Sequence, residues 1–296
     1  MTANTSSTVK SRQALDAQYG GNNRSGWLKN IPDSWLPFVQ LARLSPPAGV
    51  FLLYFPHLFG ALHAAILTKS PASEALRTSV LMFGGSFFLS NAVHIWDDLI
   101  DAPLDALVER TCNRPIPRGA VSPAAALVFT FSQAICAAAF LPCIPVGFIQ
   151  SVLYVAPAIV GWTYYPWAKR HTNFPQLVLG LCVSWGIVIG SLAGGFLPLA
   201  IDDGHRVTVA TSSLCLFGAC TLWSVIYDTI YAHQDLTDDK KFGIKSMAVL
   251  FEGRTKPLLS LLLVAMTVLL IGCGSHSGMS VVYYTVAVLG SAISGP

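Results

Sequence analysis

The sequence predicts an all-α integral membrane protein, a bundle of about eight transmembrane helices. Hydrophobic residues make up 53% of the chain and charged residues 11%, and the mean hydropathy is +0.57. A soluble domain carries roughly 25% charged residues, so this composition excludes an ordinary soluble enzyme. The apolar runs lack the period-two alternation of barrel strands, and they contain the Gly, Pro, Ser and Thr that are typical of packed helix bundles.

The elements are predicted in order from the N terminus. Residues 1–35 are polar and lack the apolar core of a signal peptide, so we expect a flexible cytosolic arm. The stretch Trp35–Leu44 is amphipathic and is predicted to lie along the membrane surface. Residues 36–296 are expected to form one transmembrane domain, because apolar runs long enough to span a bilayer follow one another there. These runs fall at 46–68, 77–96, 123–143, 145–166, 174–198, 207–233 and 256–273, with a shorter eighth run at 279–294.

The basic residues predict the topology. Of 18 Lys and Arg, 15 fall in the N-terminal arm and in the loops after the second, fourth and sixth runs. The other three, Lys69, Arg77 and Arg206, fall on the opposite side. This asymmetry places the arm and those loops in the cytosol. Because no targeting segment is visible, we expect a multi-pass protein of the endoplasmic reticulum or another endomembrane, rather than of the mitochondrial inner membrane.

A first acidic cluster lies where the second apolar run ends, and it reads Asp97-Asp98-Leu-Ile-Asp101-Ala-Pro-Leu-Asp105. Carboxylates beside a bilayer are costly unless they bind something, so they indicate a functional site. The four-residue spacing of Asp97, Asp101 and Asp105 would stack them on one helical face. Pro103 is expected to end or kink the helix, because proline donates no backbone hydrogen bond.

A second acidic cluster follows the sixth apolar run. Its members lie at positions i, i+3, i+7 and i+11, which is one face of one helix: Asp228, Tyr231, Asp235 and Asp239. A single aspartate at a helix end is as easily an ordinary solvated group, but two spaced sets at one membrane face favour a site. We expect the clusters to face each other across a cavity through Asp97, Asp101, Asp235 and Asp239.

Two facing sets of carboxylates favour magnesium, since Mg²⁺ takes a few carboxylates, keeps several waters and accepts phosphate oxygens. The predicted metal ligands are Asp97, Asp101, Asp105, Asp235 and Asp239. Basic residues near both clusters would bind a diphosphate and stabilise the charge that develops as it departs. They are Arg110, Arg114 and Arg118, Lys169 and Arg170, and Lys240, Lys241 and Lys245, with the phenol of Tyr165 one turn before Lys169. For each of these cations alone, ordinary cytosolic loop charge is the alternative.

Arg43, just before the first run, has two interpretations. Its guanidinium can fork onto a substrate carboxylate, or it can reach out to lipid headgroups. The remaining polar features favour no other chemistry. The seven cysteines show no CxxC spacing and fall mostly in apolar runs. No nucleophile elbow, phosphate-binding loop or dinucleotide fingerprint occurs, and no basic patch with interleaved aromatics points to nucleic acid.

From about residue 40 onward, these ordered motifs resemble those of the UbiA-type membrane prenyltransferases, which attach isoprenoid chains to aromatic rings. The family motif Asn-Asp-x-x-Asp-x-x-x-Asp is matched by residues 97–105, with Asp97 where Asn is usual. Residues 109–120 look like the family's Arg-Thr-x-Asn-Arg-Pro segment, residues 165–169 like its Tyr-x-x-x-Lys element, and residues 235–239 like its second Asp-x-x-x-Asp. The amino-acid sequences of residues 98–103 and 113–120 are similar to those of the fungal branch of the family that makes meroterpenoids.

The resemblance implies a Mg²⁺-dependent transferase of terpenoid secondary metabolism, acting at the lipid bilayer. It implies a prenyl diphosphate donor, typically farnesyl diphosphate, and a phenolic acceptor such as an aromatic polyketide acid. The implied catalytic residues are Asp101, Asp105, Asp235, Asp239 and Lys169. The implied substrate- and diphosphate-binding residues are Arg43, Asp98, Arg110, Arg114, Tyr165, Arg170, Asp228, Tyr231 and Lys245.

Three alternatives remain open from the sequence. One is a 4-hydroxybenzoate polyprenyltransferase of ubiquinone biosynthesis, the close relative within the family. Another is a membrane transporter whose acids relay protons or cations, although such acids are expected near the midplane rather than at helix ends on one side. The third is an inactive truncated paralogue, because the family has nine helices whereas the eighth run here is short and no ninth comes after it.

Overall fold

The computed structural model describes residues 26–201 and 207–293, and most of them are helical. The α-helices are α1 (Leu36–Leu41), α2 (Ala48–Thr68), α3 (Ala72–Asp105), α4 (Pro123–Ala138), α5 (Phe148–His171), α6 (Pro175–Ala193), α7 (Thr211–Ala232), α8 (Leu236–Phe242), α9 (Met247–Leu250), α10 (Thr255–Ser277), α11 (Val281–Tyr283) and α12 (Leu289–Ile293). Short 3-10 helices lie at Gly26–Asn30, Leu141–Cys143 and His233–Asp235, and a π-helical turn at Tyr284–Val288. Strand β1 (Leu199–Ile201) pairs antiparallel with β2 (Val207–Val209).

The prediction of an all-α membrane protein is confirmed. Among the described residues, six helical runs are long and apolar enough to cross a bilayer: Ala48–Thr68, Ala72–Asp105, Pro123–Cys143, Pro175–Ala193, Thr211–Phe242 and Thr255–Ser277. The other two predicted runs, 145–166 and 279–294, differ. The first of these runs corresponds to helix α5, which is long enough to cross a bilayer. Gln150 and the tyrosines at 164 and 165 make α5 less apolar than the six helical runs above. The second begins at Val281 and is short.

The described residues divide into two compact units. The first contains residues 26–50 and 88–135, and the second contains residues 51–87, 136–201 and 207–293. Most of the predicted arm, residues 1–25, lies outside the described residues. The prediction that residues 36–296 act as one transmembrane domain stays a prediction.

The first unit is built around a small apolar core beside the end of α3. Its buried members are Leu41, Ile95, Ile116, Val121 and Ala126. Phe38 of α1 packs edge-on against Phe129 of α4, with ring centroids 5.5 Å apart. The short helix α1 is therefore fixed by packing rather than by its own length, since a helix of six residues is not stable alone.

The second unit is organised by α6, which is buried along most of its length. Helix α2 approaches it at backbone distance, because a Cβ on Gly60 would lie 2.1 Å from the carbonyl oxygen of Ile187 and a Cβ on Gly190 would lie 2.0 Å from that of His57. The hydroxyl of Ser191 donates to the Gly60 carbonyl at 3.3 Å. Small residues at a helix contact are typical of membrane bundles, where close backbone approach replaces the hydrophobic effect.

Candidate active site

The first acidic cluster lies on the last turns of α3, in the first unit. The helix continues through Pro103 to Asp105, so it does not end at the proline, and the alternative prediction of a kink there stays a prediction. Pro103 lacks only its own N–H, and the next turn still forms, with the amide of Ala106 donating to the Ala102 carbonyl at 3.1 Å. Because the helix is unbroken, the four-residue stack of Asp97, Asp101 and Asp105 is retained.

Two arginines are ion-paired with this cluster. Arg43 donates through Nη2 to Oδ1 of Asp98 at 2.7 Å and lies 3.6 Å from Oδ2 of Asp97. Arg114 donates through Nη1 to the same Oδ1 of Asp98 at 3.0 Å and to Oδ2 of Asp105 at 2.8 Å. Asp98, Asp101 and Asp105 are buried. Arg43 is thus held at the acidic cluster, and both predicted roles for its remaining N–H donors stay predictions.

Both guanidiniums stay charged in this setting. Burial acts to lower the pKa of Arg114, but the carboxylates of Asp98 and Asp105 outweigh it and raise that pKa above its ordinary value. Burial likewise opposes the charge on Arg43, and Asp98 and Asp97 again hold the pKa of the guanidinium above its ordinary value. Arg43 and Arg114 thus place two fixed positive charges beside the carboxylates at the end of α3.

The loop after α3 is tied down by its own polar contacts. The hydroxyl of Thr111 donates to the carbonyl of Asp105 at 3.0 Å. Arg118 donates to the carbonyl of Asn113 and to the side chain of Gln40, both at 2.7 Å. Arg118, predicted as a diphosphate ligand, instead joins this loop to α1. Arg110 lies half-buried on the same loop.

The second acidic cluster lies in the second unit and departs from its predicted geometry. A 3-10 turn, His233–Asp235, separates α7 from α8, so the four residues do not share one continuous α-helix. A 3-10 turn advances about 20° more per residue than an α-helix, which rotates the residues after it by roughly 60°. Asp235 and Asp239 are therefore shifted around the helix axis relative to Asp228 and Tyr231 by about that angle, so the four residues span a wider face than predicted.

Basic residues of the second unit gather at the end of α5. The backbone amide of Lys245 donates to the carbonyl of Lys169 at 2.9 Å, and the Lys245 ammonium lies 3.4 Å from the carbonyl of His171. Arg170 lies exposed in the same last turn. The predicted cations Lys169, Arg170 and Lys245 are thus brought together, although about 75 positions of chain separate Lys245 from the other two. Tyr165 lies half-buried one turn earlier on α5.

Lys240 differs from its predicted role, because its ammonium forms an ion pair with Glu252. Lys241 lies exposed, 5.0 Å from the ring centroid of Phe242. Among the described residues, the contacts of these two cations are thus with Glu252 and Phe242 rather than with an aspartate of the cluster.

A row of stacked aromatic rings leads along α7 toward the second cluster. Trp223 and Tyr227 lie 5.8 Å apart and Tyr227 and Tyr231 lie 6.4 Å apart, with interplanar angles of 14° and 18°. They recur every four residues, so they occupy one face of the helix. Tyr231, predicted as a binding residue, is the last ring of this row.

Gln176 was not predicted and holds the second basic group in place. It is buried at the start of α6, and its side-chain oxygen accepts the amide of Met247 at 3.0 Å. This bond anchors the segment that carries Lys245. The signal was present in the sequence, because an amide inside an apolar run is costly unless it is hydrogen-bonded.

The chemistry of the acidic residues suits Mg²⁺. Across residues 26–201 and 207–293, no three His, Cys, Asp or Glu side chains are gathered closely enough to hold a metal ion by themselves. Mg²⁺ is usually held by one or two carboxylates, with water and substrate phosphate completing its shell, so an all-protein cage is not expected. Asp97 and Asp101, one turn apart, offer such oxygens in the first unit, and Asp235 and Asp239 offer them in the second.

Each unit therefore carries one acidic cluster with basic residues beside it. The first holds Arg43, Asp97, Asp98, Asp101, Asp105, Arg110 and Arg114, and the second holds Tyr165, Lys169, Arg170, Asp228, Tyr231, Asp235, Asp239 and Lys245. That the two clusters face each other stays a prediction.

Comparison with known proteins gives a consistent result. A profile described as the UbiA prenyltransferase family matches residues 53–294. Prenyltransferase stbC of Stachybotrys bisbyi is 36% identical over 265 residues, which cover 87% of this chain and 74% of the relative. DMOA farnesyltransferase nvfB of Aspergillus novofumigatus is 33% identical, covering 93% and 84%. The mitochondrial 4-hydroxybenzoate polyprenyltransferase of Saccharomyces cerevisiae is 32% identical, covering 86% and 64%.

A solved structure shares the fold. A UbiA homolog from Archaeoglobus fulgidus, bound to GPP and Mg²⁺, superposes with a TM-score of 0.59, covering 87% of this chain and 85% of that one. The sequences are 17% identical. At that level the match supports the fold of the bundle.

Proposed function

We propose that this chain, which belongs to the UbiA prenyltransferase family, transfers a prenyl group from a prenyl diphosphate to an aromatic acceptor in a Mg²⁺-dependent reaction. One observation carries the proposal. Asp98, Asp101 and Asp105 lie buried at the end of a membrane-length helix, with Asp98 and Asp105 in contact with arginine, in a chain whose relatives transfer prenyl groups. Buried carboxylates at a membrane face mark a binding site by default.

The donor is proposed to be farnesyl diphosphate. Support comes from nvfB, which is named a farnesyltransferase and matches nearly the whole chain. The Archaeoglobus homolog, with GPP and Mg²⁺ bound, supports a prenyl diphosphate and this metal for the fold. We propose that Asp97, Asp101, Asp105, Asp235 and Asp239 hold Mg²⁺.

The cations of both units would bind the diphosphate. Lys169, Arg170 and Lys245 lie together at the end of α5, and Arg110 and Arg114 lie on the loop after α3. Bound Mg²⁺ would supply further positive charge where the leaving diphosphate gains negative charge. Cations fixed before the reaction stabilise that developing charge without having to rearrange, and this is the main catalytic contribution that we propose for them.

The reaction then proceeds at carbon. The carbon–oxygen bond of the donor breaks and the diphosphate departs, leaving an allylic cation. A ring carbon next to a phenolic hydroxyl forms the new carbon–carbon bond and passes its proton to the released diphosphate, which restores aromaticity. The stacked rings of Trp223, Tyr227 and Tyr231 could face a cation of this kind, since aromatic faces attract positive charge.

The acceptor is proposed to be an aromatic polyketide acid of the fungal meroterpenoid type. Prenyltransferase stbC and farnesyltransferase nvfB support this branch by similarity. The yeast 4-hydroxybenzoate enzyme is similar to a nearly equal degree, so 4-hydroxybenzoate is the second candidate acceptor. Both are acids, and Arg43 could orient either carboxylate through guanidinium N–H groups that do not contact Asp97 or Asp98. We place the enzyme in the endoplasmic reticulum or another endomembrane, with its site facing the cytosol.

The test is prenyl transfer in membranes that contain the full chain. Membranes would be incubated with radiolabelled farnesyl diphosphate, Mg²⁺ and a panel of phenolic acids that includes 4-hydroxybenzoate. Asp101→Ala and Asp235→Ala should each abolish transfer while leaving expression intact. Glu74→Ala is the matched control, because it removes a carboxylate that is exposed and remote in sequence from both clusters.

Retained turnover in either aspartate variant would refute the site assignment. No product from wild-type membranes with any acceptor would refute the enzymatic function and favour an inactive paralogue or a transporter. Product with 4-hydroxybenzoate alone would move the assignment to the ubiquinone branch.

A further inference from the structure

Asp98 bridges two arginines through a single carboxylate oxygen. One of its oxygens, Oδ1, accepts hydrogen bonds from two different guanidiniums, those of Arg43 and Arg114. Asp97 lies at the looser distance of 3.6 Å from Arg43, and Asp105 contacts Arg114 through Oδ2. Only 3% of the Asp98 side chain is exposed.

The two arginines come from separate segments that Asp98 joins. Arg43 precedes α2 and has a φ of 53°, a left-handed conformation that residues other than glycine rarely adopt. Arg114 lies on the loop after α3, which further contacts tie down. Because both nitrogens bond the same oxygen, at 2.7 Å and 3.0 Å, they lie no farther apart than the sum of those two distances. Two like charges so close repel each other unless an anion lies between them.

These contacts leave several N–H donors of each guanidinium available to a ligand. In the hydrogen bonds above, Arg43 uses only Nη2 and Arg114 uses only Nη1. A guanidinium carries five N–H donors in a planar fork, so each arginine keeps a second edge that suits a carboxylate or a phosphate. Side-chain exposures of 35% for Arg43 and 16% for Arg114 leave the pair open on one side.

We infer that Asp98 is a positioning residue rather than a metal ligand, and that it holds Arg43 and Arg114 side by side as a paired site for one oxyanion, which replaces the assignment of the two arginines to different substrates. The inference rests on the proposed function for the source of that oxyanion, which is either the diphosphate of the donor or the carboxylate of the acceptor. A metal ion on Oδ1 of Asp98 would lie beside two guanidiniums, and their repulsion disfavours it there. Asp98 therefore acts on the substrates through the arginines.

The test compares Asp98→Asn in two backgrounds, using the full chain in lipid nanodiscs. The first background is the wild type and the second is the double variant Arg43→Gln/Arg114→Gln. If Asp98 acts through the arginines, its substitution raises the KM of an anionic substrate by about tenfold or more in the wild type, the usual cost of a charge-assisted hydrogen bond. In the background that lacks both arginines, Asp98→Asn should raise the KM by less than about twofold.

A second readout separates this role from metal binding without any turnover. Mn²⁺ alone would be titrated and its free ion followed by electron paramagnetic resonance, with Asp101→Asn as the matched aspartate control. Asp98→Asn should leave the Kd for Mn²⁺ within about threefold of the wild type, whereas Asp101→Asn should raise it by about tenfold or more. An equal rise in the two variants would overturn the inference, as would an undiminished KM effect of Asp98→Asn in the background that lacks both arginines.

Two further outcomes are informative. A KM rise confined to acceptors that bear a carboxylate assigns the arginine pair to the acceptor, and a KM rise for farnesyl diphosphate with every acceptor assigns it to the diphosphate. Should the double arginine variant fail to fold, the cause would be two buried carboxylates, Asp98 and Asp105, that lost their arginine contacts. Adding both Asp98→Asn and Asp105→Asn should then restore folding, and adding Asp98→Asn should improve stability over Asp105→Asn alone; no gain from Asp98→Asn would count against the inference. If the wild type shows no turnover at all, the proposed function fails, while the Mn²⁺ titration and the folding comparison still test Asp98.

Discussion

Replacing Arg114 by glutamine should cost this protein a large part of its stability. Arg114 contacts two buried carboxylates, Asp98 at 3.0 Å and Asp105 at 2.8 Å, and only 16% of its own side chain is exposed. A hydrogen bond to a charged group contributes about 1.5–3 kcal/mol, and breaking a buried ion pair from one side costs about 3–5 kcal/mol. Asp98 keeps Arg43 at 2.7 Å, so we expect a loss of about 3–4 kcal/mol in the free energy of unfolding.

The assay is reversible unfolding of the full chain in mixed micelles with increasing sodium dodecyl sulfate. Arg77→Gln is the matched control, because Arg77 pairs with Glu74 at 3.5 Å with side-chain exposures of 82% and 55%. An exposed pair of this kind contributes less than about 1 kcal/mol. Adding Asp105→Asn to Arg114→Gln should recover part of the loss, since a neutral amide replaces the buried carboxylate that lost its contact with Arg114. A change no larger than that of the control would refute the buried network.

Three other outcomes are expected. Gln176→Leu leaves the amide of Met247 without its acceptor, which should cost about 1–3 kcal/mol by the same unfolding assay and raise the KM for the prenyl diphosphate; an unchanged KM would remove Gln176 from the positioning of Lys245. Gly190→Ala forces a methyl group against the carbonyl of His57 and should lower the free energy of unfolding by about 1–3 kcal/mol, and with it the melting temperature. Gly290→Ala places its methyl group in open space and should leave the melting temperature unchanged. Chelation of divalent cations should abolish prenyl transfer and added Mg²⁺ should restore it, and turnover that persists in chelator would contradict the proposed metal.

Patterns along the chain predicted the helices and the first acidic cluster well. Apolar runs of bilayer length have few alternatives to a helix, because no other open structure satisfies its backbone in lipid. The four-residue spacing of Asp97, Asp101 and Asp105 then needs only an unbroken helix to bring them to one face. Pro103 was overrated as a breaker, because only two residues of α3 follow it and the helix accommodates the loss of one backbone hydrogen bond there.

The second cluster was harder to predict because its geometry depends on a local choice between helix types. The 3-10 turn His233–Asp235 has no composition that distinguishes it from another α-helical turn, yet it rotates α8 relative to α7. Ion pairs between segments that are distant in sequence also could not be predicted. Nothing in the sequence pairs Arg43 with Asp98, 55 positions away, because that contact depends on how α1 packs on its unit.

The contact of Lys245 with the end of α5 shows which parts of the basic site can be predicted from the positions of residues along the chain. Lys169 and Lys245 were both predicted as diphosphate ligands from their place after helix ends, and the structure joins their backbones through one hydrogen bond. Lys240 was predicted on the same grounds and pairs with Glu252 instead. Which cation of a basic loop turns toward the site depends on the fold of the loop, here on the anchor at Gln176.

Anomalous scattering from Mn²⁺ provides the most direct test of the proposal that both acidic clusters bind one metal–diphosphate complex. The full chain would be crystallised with Mn²⁺ and farnesyl thiodiphosphate, a donor analogue that reacts slowly. We predict manganese peaks within coordination distance of a carboxylate from 97–105 and of one from 235–239, with the diphosphate between them. Manganese and diphosphate bound by one cluster alone, with the other aspartates turned into water, would contradict the proposed mechanism.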